Sequence, residues 1–296
     1  IIVGLVLVLS IFFSGCFNEN TNDVTDDADT LYVDINGAKQ YSSIQNAIDS
    51  APENYTVYVF PGVYNEKLVI NKTINLIGDN LETTIIDGNK EGDVITITDA
   101  EFCNISGFTV QNCGLNEAAI YITSPNNNIS SNIIKSNNNG IYASSVKHIT
   151  IYDNTFISND LYGIYLSGSD SNIVKNNVFT NNTYGMRVKA RDNLITRNLF
   201  QDNERGLFFC CYAEDNIVYY NSFINNSEYH ALDTTQGEIW YNADTLQGNY
   251  WDDYTGDDEN KDGVGDTAYN ISYYGSNQDP YPLTNPIDVK RWTDDL

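Results

Sequence analysis

The chain has 296 residues, with 15 Lys and Arg against 40 Asp and Glu, for a formal net charge of −25. That length supports one sizeable domain with its own core and excludes a disordered or disulfide-only mini-protein. The acidic excess argues against a nucleic-acid partner, because phosphate is repelled, and two His with one Met leave few ligands for a copper or zinc centre.

Ile1 to Phe13 are almost wholly apolar and lead into Ser14-Gly15-Cys16. This run is short for a spanning helix, which needs about 20 residues, and fits the apolar part of a secretory signal over residues 1–15. The Phe13-Ser14-Gly15-Cys16 run resembles a lipobox, which implies lipidation of Cys16 and a membrane anchor there. Residues 16–30 are polar and acidic with little to bury, as expected of a flexible tether.

Residues 31–100 predict an N-terminal cap and the first coils. Ser42 and Gln45 are spaced as a capping box, and Ile44, Ala47 and Ile48 follow at helical spacing. One short amphipathic helix is therefore expected over 42–51. Short strand-forming runs come next, at Val57–Phe60, Leu68–Ile70, Ile74–Ile77 and Thr84–Asp87.

Residues 101–248 repeat. The pattern Asn-x-Ile/Phe-x-x-Asn starts at Asn132, Asn154, Asn177, Asn198 and Asn221, at intervals of 22, 23, 21 and 23 residues. Gly140-Ile141, Gly163-Ile164, Gly185-Met186 and Gly206-Leu207 keep the same beat. With 41 Asn, 20 Gly and 6 Pro, these short runs are separated by turns, and none is long enough for a helix. A unit of this size cannot bury its apolar face alone, so units must stack. The solution is an all-β, right-handed parallel β-helix of three strands per coil, with coils ~4.8 Å apart. Val110, Ile134, Phe156, Phe179, Phe200 and Phe223 then form one internal stack, and the Asn residues form ladders at the turns.

Residues 249–296 predict a C-terminal cap, with Trp240, Tyr250 and Trp251 covering the last coil. Within it, Asp258, Asn260, Asp262, the Val264 carbonyl and Asp266 surround Gly263 at the spacing of a calcium loop's first part. Structural Ca²⁺ is expected there, although Tyr269 stands where a bidentate carboxylate belongs.

The stretch YSSIQNAIDSAPENYTVYVFPGVYNEKLVINKTINLIGDN, residues 41–80, resembles the opening of pectate-lyase-like β-helix proteins. The Asn/Gly coils and the ending GNYWDDYTGDDENKDGVGDTAYNI, residues 248–271, resemble the NosD-type β-helix family. That resemblance covers residues 31–285. It implies an envelope protein grouped with carbohydrate-binding and sugar-hydrolase modules, and raises an accessory role in maturing a copper enzyme.

Candidate sites follow from the coil geometry. If Ile141 and Leu207 point inward, the next residues point out, giving a column of Tyr121, Tyr142, Tyr165, Arg187 and Phe208. Lys189 and Arg191 share a face with Arg187, so a polysaccharide or cell-envelope glycan is the expected partner, with Arg187 meeting an acidic sugar. Asp170, Asp192 and Asp215 stand near equivalent positions of successive coils, which leaves a glycan hydrolase or lyase as the alternative. Yet the later paired-Asp motif of pectin methylesterases and the Asp-Pro-His motif of alginate epimerases are both missing. Copper is not expected: His148, His230 and Met186 lie in different repeat contexts, and the neighbours Cys210 and Cys211 should point to opposite strand faces. The expected role is non-catalytic binding or organisation of polysaccharide at the cell surface.

Overall fold

The computed structural model describes residues 28–235, 237–271 and 277–289. The apolar leader, Cys16 and most of the tether lie outside the described residues. The chain winds into a parallel β-helix of about nine turns. Successive turns contribute one strand each to a nine-stranded first sheet, an eight-stranded second sheet and a nine-stranded third sheet. In the first sheet Asn104, Asn128, Thr150, Ile173, Leu194 and Ile217 pair in sequence, which sets the 21- to 24-residue coil.

One helix, Ile44–Ser50, closes the N-terminal end and buries Ile44, Ala47 and Ile48. Its N-cap is Ser43, one residue later than the Ser42/Gln45 box predicted. The reason is a long-range acceptor. Glu66 takes hydrogen bonds from the backbone N–H groups of Ile44 and Gln45, both 2.9 Å, and from the Ser43 hydroxyl at 2.8 Å. Gln45 is thereby freed to act on the sheet edge. Its amide accepts from Val69 N at 2.8 Å and donates to Val69 O at 3.2 Å, covering the outermost strand of the second sheet, Leu68–Ile70. An uncovered edge of this kind is a template for pairing with another chain.

The interior is a column of rings. Phe156, Phe179, Phe200 and Phe223 are fully buried and stack 4.7–4.9 Å apart, centroid to centroid, with planes within 6° of parallel. Trp251 and then Tyr269 continue the stack at 4.4 and 4.3 Å. The repeating glycines lie inside the strands of the second sheet, not at turns: a Cβ on Gly163 would meet the carbonyl oxygen of Gly185 and the ring of Phe179. Close backbone approach, with no need for positive φ, is what requires glycine here.

Three Asn ladders run along the turns. In one, Asn132 accepts through Oδ1 from Phe108 N, and Asn154, Asn177, Asn198, Asn221 and Asn249 each accept in the same way from the backbone N–H of the ladder Asn one coil before. Asn137, Asn159, Asn182, Asn203 and Asn226 form a second. Asn172, Asn193 and Asn216 form a third. Two of these ladders end on carboxylates. Asp279 receives Asn249 N at 2.7 Å and Trp251 Nε1 at 3.0 Å, and Glu238 receives Asn216 N at 2.9 Å.

Burial pushes the Asp279 carboxyl up to about 6 and that of Glu238 up to about 7, against the hydrogen bonds that favour their charged forms. The Thr235 hydroxyl lies 2.7 Å from Asp233 Oδ1 and 3.2 Å from Glu238 Oε1. Its single proton serves one of them, so a proton on Glu238 completes the set. The folded state thus holds both protons at pH values where the unfolded chain has lost them. Their contribution to stability is full below about pH 4 and is lost as pH rises through about 6 and 7. Glu238→Gln keeps the acceptor for Asn216 and should flatten the fall in urea midpoint between pH 5 and pH 8. Parallel pH profiles for variant and parent would rule this account out.

Candidate functional site

The outer face of the second sheet carries the predicted column in register: Tyr121, Tyr142, Tyr165, Arg187 and Phe208 are consecutive pairing partners, all half-buried. The faces of Tyr142 and Tyr165 are turned toward the neighbouring coils. Tyr142 and Tyr165 stack on each other at 5.1 Å and 9°, so their faces are occupied and their edges meet solvent. Arg187 is laid over Tyr162, Tyr165 and Phe208, with its guanidinium carbon 5.1–5.7 Å from the ring centroids. Burial works against its charge, but Tyr162 Oη at 2.6 Å and Cys210 Sγ at 3.5 Å raise its pKa further above the usual value.

A second outward column, Tyr162, Tyr184, Arg205 and Tyr229, runs beside the first. The residue before each repeating glycine marks its first three members in the sequence, a signal on the opposite side of the glycine from the Gly-Ile beat. Arg205 sits 4.7 Å above the Tyr184 ring and pairs with Glu204 and Glu228.

Lys189 and Arg191 open into a cleft of about 460 Å³ at the edge of this face, lined also by Ser145, Ser167, Asp170 and Tyr212. Tyr212 is 71% exposed, and the Lys189 amine lies 5.8 Å from its ring centroid. Arg191 is held by Glu214 at 3.2 Å, while among the described residues Lys189 shows no ion pair. Of the three candidate carboxylates only Asp170 lines this cleft, where it accepts from Arg191 N at 2.9 Å. Asp192 and Asp215 sit one residue before their ladder Asn, at exposed left-handed turn positions. Asp170 stands two residues before Asn172, so Ser171 and not Asp170 is their equivalent in the preceding coil.

At the C-terminal end a cleft of about 560 Å³ holds Glu228, Tyr229, His230, Asp253 and Tyr269. The ligand atoms of His230, Asp252 and Asp253 lie within 4.8 Å of one another, a grouping that sequence spacing does not reveal. The ladder governs what His230 can do. Asn226 Oδ1 accepts from Asn203 N and Nδ2 at 3.1 and 3.0 Å, so its Nδ2 is the atom 3.1 Å from His230 Nδ1. The Nδ1 atom is therefore an acceptor, and in the neutral ring the proton sits on Nε2, 2.7 Å from Asp252 Oδ1. A cation on Nε2 would have to displace that proton and turn Asn226 out of its ladder.

In the expected calcium loop the oxygens are turned onto the loop's own backbone. Asp258 accepts from Asp262 N and Gly263 N at 3.2 and 3.1 Å, Asn260 from Asp262 N at 3.0 Å, and Asp262 from Val264 N at 2.9 Å. Asp266 accepts from Glu259 N at 2.8 Å. Val264 bridges Leu283, which seats the loop on the end of the solenoid.

These features define a three-sheet parallel β-helix with an aromatic, cation-bearing outer wall and clefts at Lys189 and at His230. The chain belongs to the NosD family, described as periplasmic copper-binding proteins, whose pattern matches residues 22–256. It is 36% identical over 64 residues to a probable ABC transporter binding protein NosD of Stutzerimonas stutzeri, and 29% identical over 109 residues to probable pectinesterase/pectinesterase inhibitor 41 of Arabidopsis thaliana. Those segments are 22% and 33% of this chain but only 14% and 16% of the relatives. Among solved structures, ORF18 of Geobacillus virus E2 is similar at 18% identity and a TM-score of 0.53, over 72% of this chain and 56% of the other. Carrot pectin methylesterase is similar at 13% identity and a TM-score of 0.49, over 74% and 80%. These likenesses concern the fold.

The family's copper can be tested against the donors. Met186 is sealed in the core, His148 stands on an exposed turn, and Cys103 and Cys113 are buried free thiols. Cys210 and Cys211 differ from expectation. Cys211 takes a left-handed φ of 73°, which breaks the strand alternation and brings the two sulfurs to 3.0 Å. Two convergent soft donors fit copper in its monovalent form.

Proposed function

We propose that this is an exported, cell-surface member of its family, anchored through Cys16, that binds an acidic polysaccharide without cleaving it. The observation that carries this reading is the cleft of about 460 Å³, where an exposed Tyr212 ring, the Lys189 amine and the Ser145 and Ser167 hydroxyls face one space. A sugar ring presents C–H groups to an aromatic face, a uronate carboxylate meets an ammonium, and hydroxyls complete the hydrogen bonds. Lys189 matters most because the rest of the molecule repels polyanions, at a net charge of −25. Only one candidate carboxylate lines the cleft, which supports binding over glycan hydrolysis, since that needs a matched pair.

Titration calorimetry with polygalacturonate, alginate and a neutral glucan tests the reading. Binding should be confined to the uronates, fall about tenfold in Lys189→Ala and in Tyr212→Ala, and leave polymer length unchanged. Equal binding of the neutral glucan, or no change in both variants, would overturn it, and shortened polymer would establish the lyase or hydrolase alternative. Melts in Ca²⁺ and in EGTA belong to the same series. A Ca²⁺-dependent rise in Tm, lost in Asp262→Ala, is the expected mark of a calcium cap at Asp258–Asp266.

A further inference from the structure

We infer that Cys210 and Cys211 form a two-thiolate site for a soft monovalent cation, Cu(I). The family description names copper but no residues. Chemistry narrows the choice within this chain. Thiolates select soft metals, and a structural Zn²⁺ site asks for four ligands where this one offers two. A closed-shell monovalent ion is satisfied by two or three. The pair is built for access on one side: Cys210 is 5% exposed, whereas Cys211 is exposed and sits on a turn. The sulfurs lie 3.0 Å apart, and at metal–sulfur distances of ~2.3 Å a bridging ion needs them about 1 Å wider with three ligands and about 1.6 Å wider with two. Rotation of the exposed Cys211 side chain supplies that opening.

Charge supports the same assignment. Binding releases two protons: two thiols and Cu⁺ give a bis-thiolate complex of net charge −1 and two H⁺. In a chain of net charge −25 a further buried anion needs a counterion. Arg187 provides it, with Nη2 3.5 Å from Cys210 Sγ. The Arg187 Nε atom is buried without a partner, so this guanidinium retains an unused donor on the side chain that approaches the pair. A guanidinium held beside Cys210 Sγ favours the thiolate that a metal requires. The open side of Cys211 leaves room for a third ligand from a donor or acceptor of the ion.

The test is anaerobic titration of the fully reduced chain with Cu(I) held by a chromogenic competing chelator. One equivalent should be withdrawn from the chelator, with near-ultraviolet sulfur-to-copper charge-transfer absorption. Cys211→Ser, at an exposed position, should abolish both signals, and Cys210→Ser should do the same. Cys103→Ser should retain them, and Arg187→Gln should weaken binding about tenfold. Undiminished uptake in Cys211→Ser, or no uptake by the reduced parent chain, would overturn the assignment. Circular dichroism of each variant separates loss of the site from loss of the fold. Neither result bears on glycan binding at Lys189.

Discussion

Asn177→Ala is expected to destabilise the protein by about 3–6 kcal/mol, among the largest effects of any single change outside the aromatic stack. Asn177 is fully buried. Its Oδ1 accepts from Asn154 N at 3.0 Å and Asn154 Nδ2 at 3.1 Å, and its Nδ2 donates to Ile151 O at 2.9 Å and Asn198 Oδ1 at 3.0 Å. Truncation strands a backbone N–H, a carbonyl and part of an amide in a dry interior, each costing about 1–3 kcal/mol. The loss falls in the middle of a stack whose coils touch only their neighbours, so the urea transition should also broaden or split. Asn177→Asp provides the control. It preserves the acceptor for Asn154 but sets a carboxylate against Asn198 Oδ1, so its defect should shrink as pH falls. A loss below about 1 kcal/mol in Asn177→Ala would show that water fills the gap and that the ladder is not a dry network.

Phe200→Ala is expected to cost about 3–5 kcal/mol, and Phe200→Leu markedly less. The ring lies between Phe179 at 4.7 Å and Phe223 at 4.9 Å, nearly parallel to both. Removing it opens a cavity that the rigid coil spacing keeps from collapsing, because the flanking strands are fixed by parallel pairing at Leu199, Phe200 and Gln201. Leucine refills most of that volume. Equal losses for the two variants would indicate that ring-to-ring contact, not filled volume, carries the energy. Asn198 lies two residues from Phe200 and belongs to the ladder broken by Asn177→Ala, so the double variant should fall short of the sum.

The coil period, the inward Phe column and the ladder Asn residues are all legible in the sequence because each recurs once per turn. A residue repeated at 21 to 23 positions advertises its own neighbour. What happens once is silent. Glu66 reaches the helix N-terminus from 22 residues away, and Glu238 and Asp279 reach their ladders from irregular segments outside the repeat. Periodicity contains nothing of these contacts. Strand alternation assigns Tyr142 and Tyr165 to the outer side of the sheet, but it fixes only that side and not the tilt of a ring. Strand alternation misleads at Cys210 and Cys211 for a related reason: the rule holds while φ stays extended, and Cys211 leaves that region. Residue type alone makes His230 a possible metal ligand, whereas its tautomer is set by an amide in the ladder.

The carboxylate at the end of the longest ladder has a consequence for the length of the assembly. Every Asn in the series both accepts from the coil before and donates to the coil after, so a stack of such coils has no internal reason to stop. Asp279 accepts from Asn249, Trp251 and Tyr281 and, once ionised, has no hydrogen to pass on. Asp279 is itself fully buried, so the last Asn of this ladder is capped from within the chain. A pattern that could pass from coil to coil without limit therefore closes on an acceptor that the chain itself supplies.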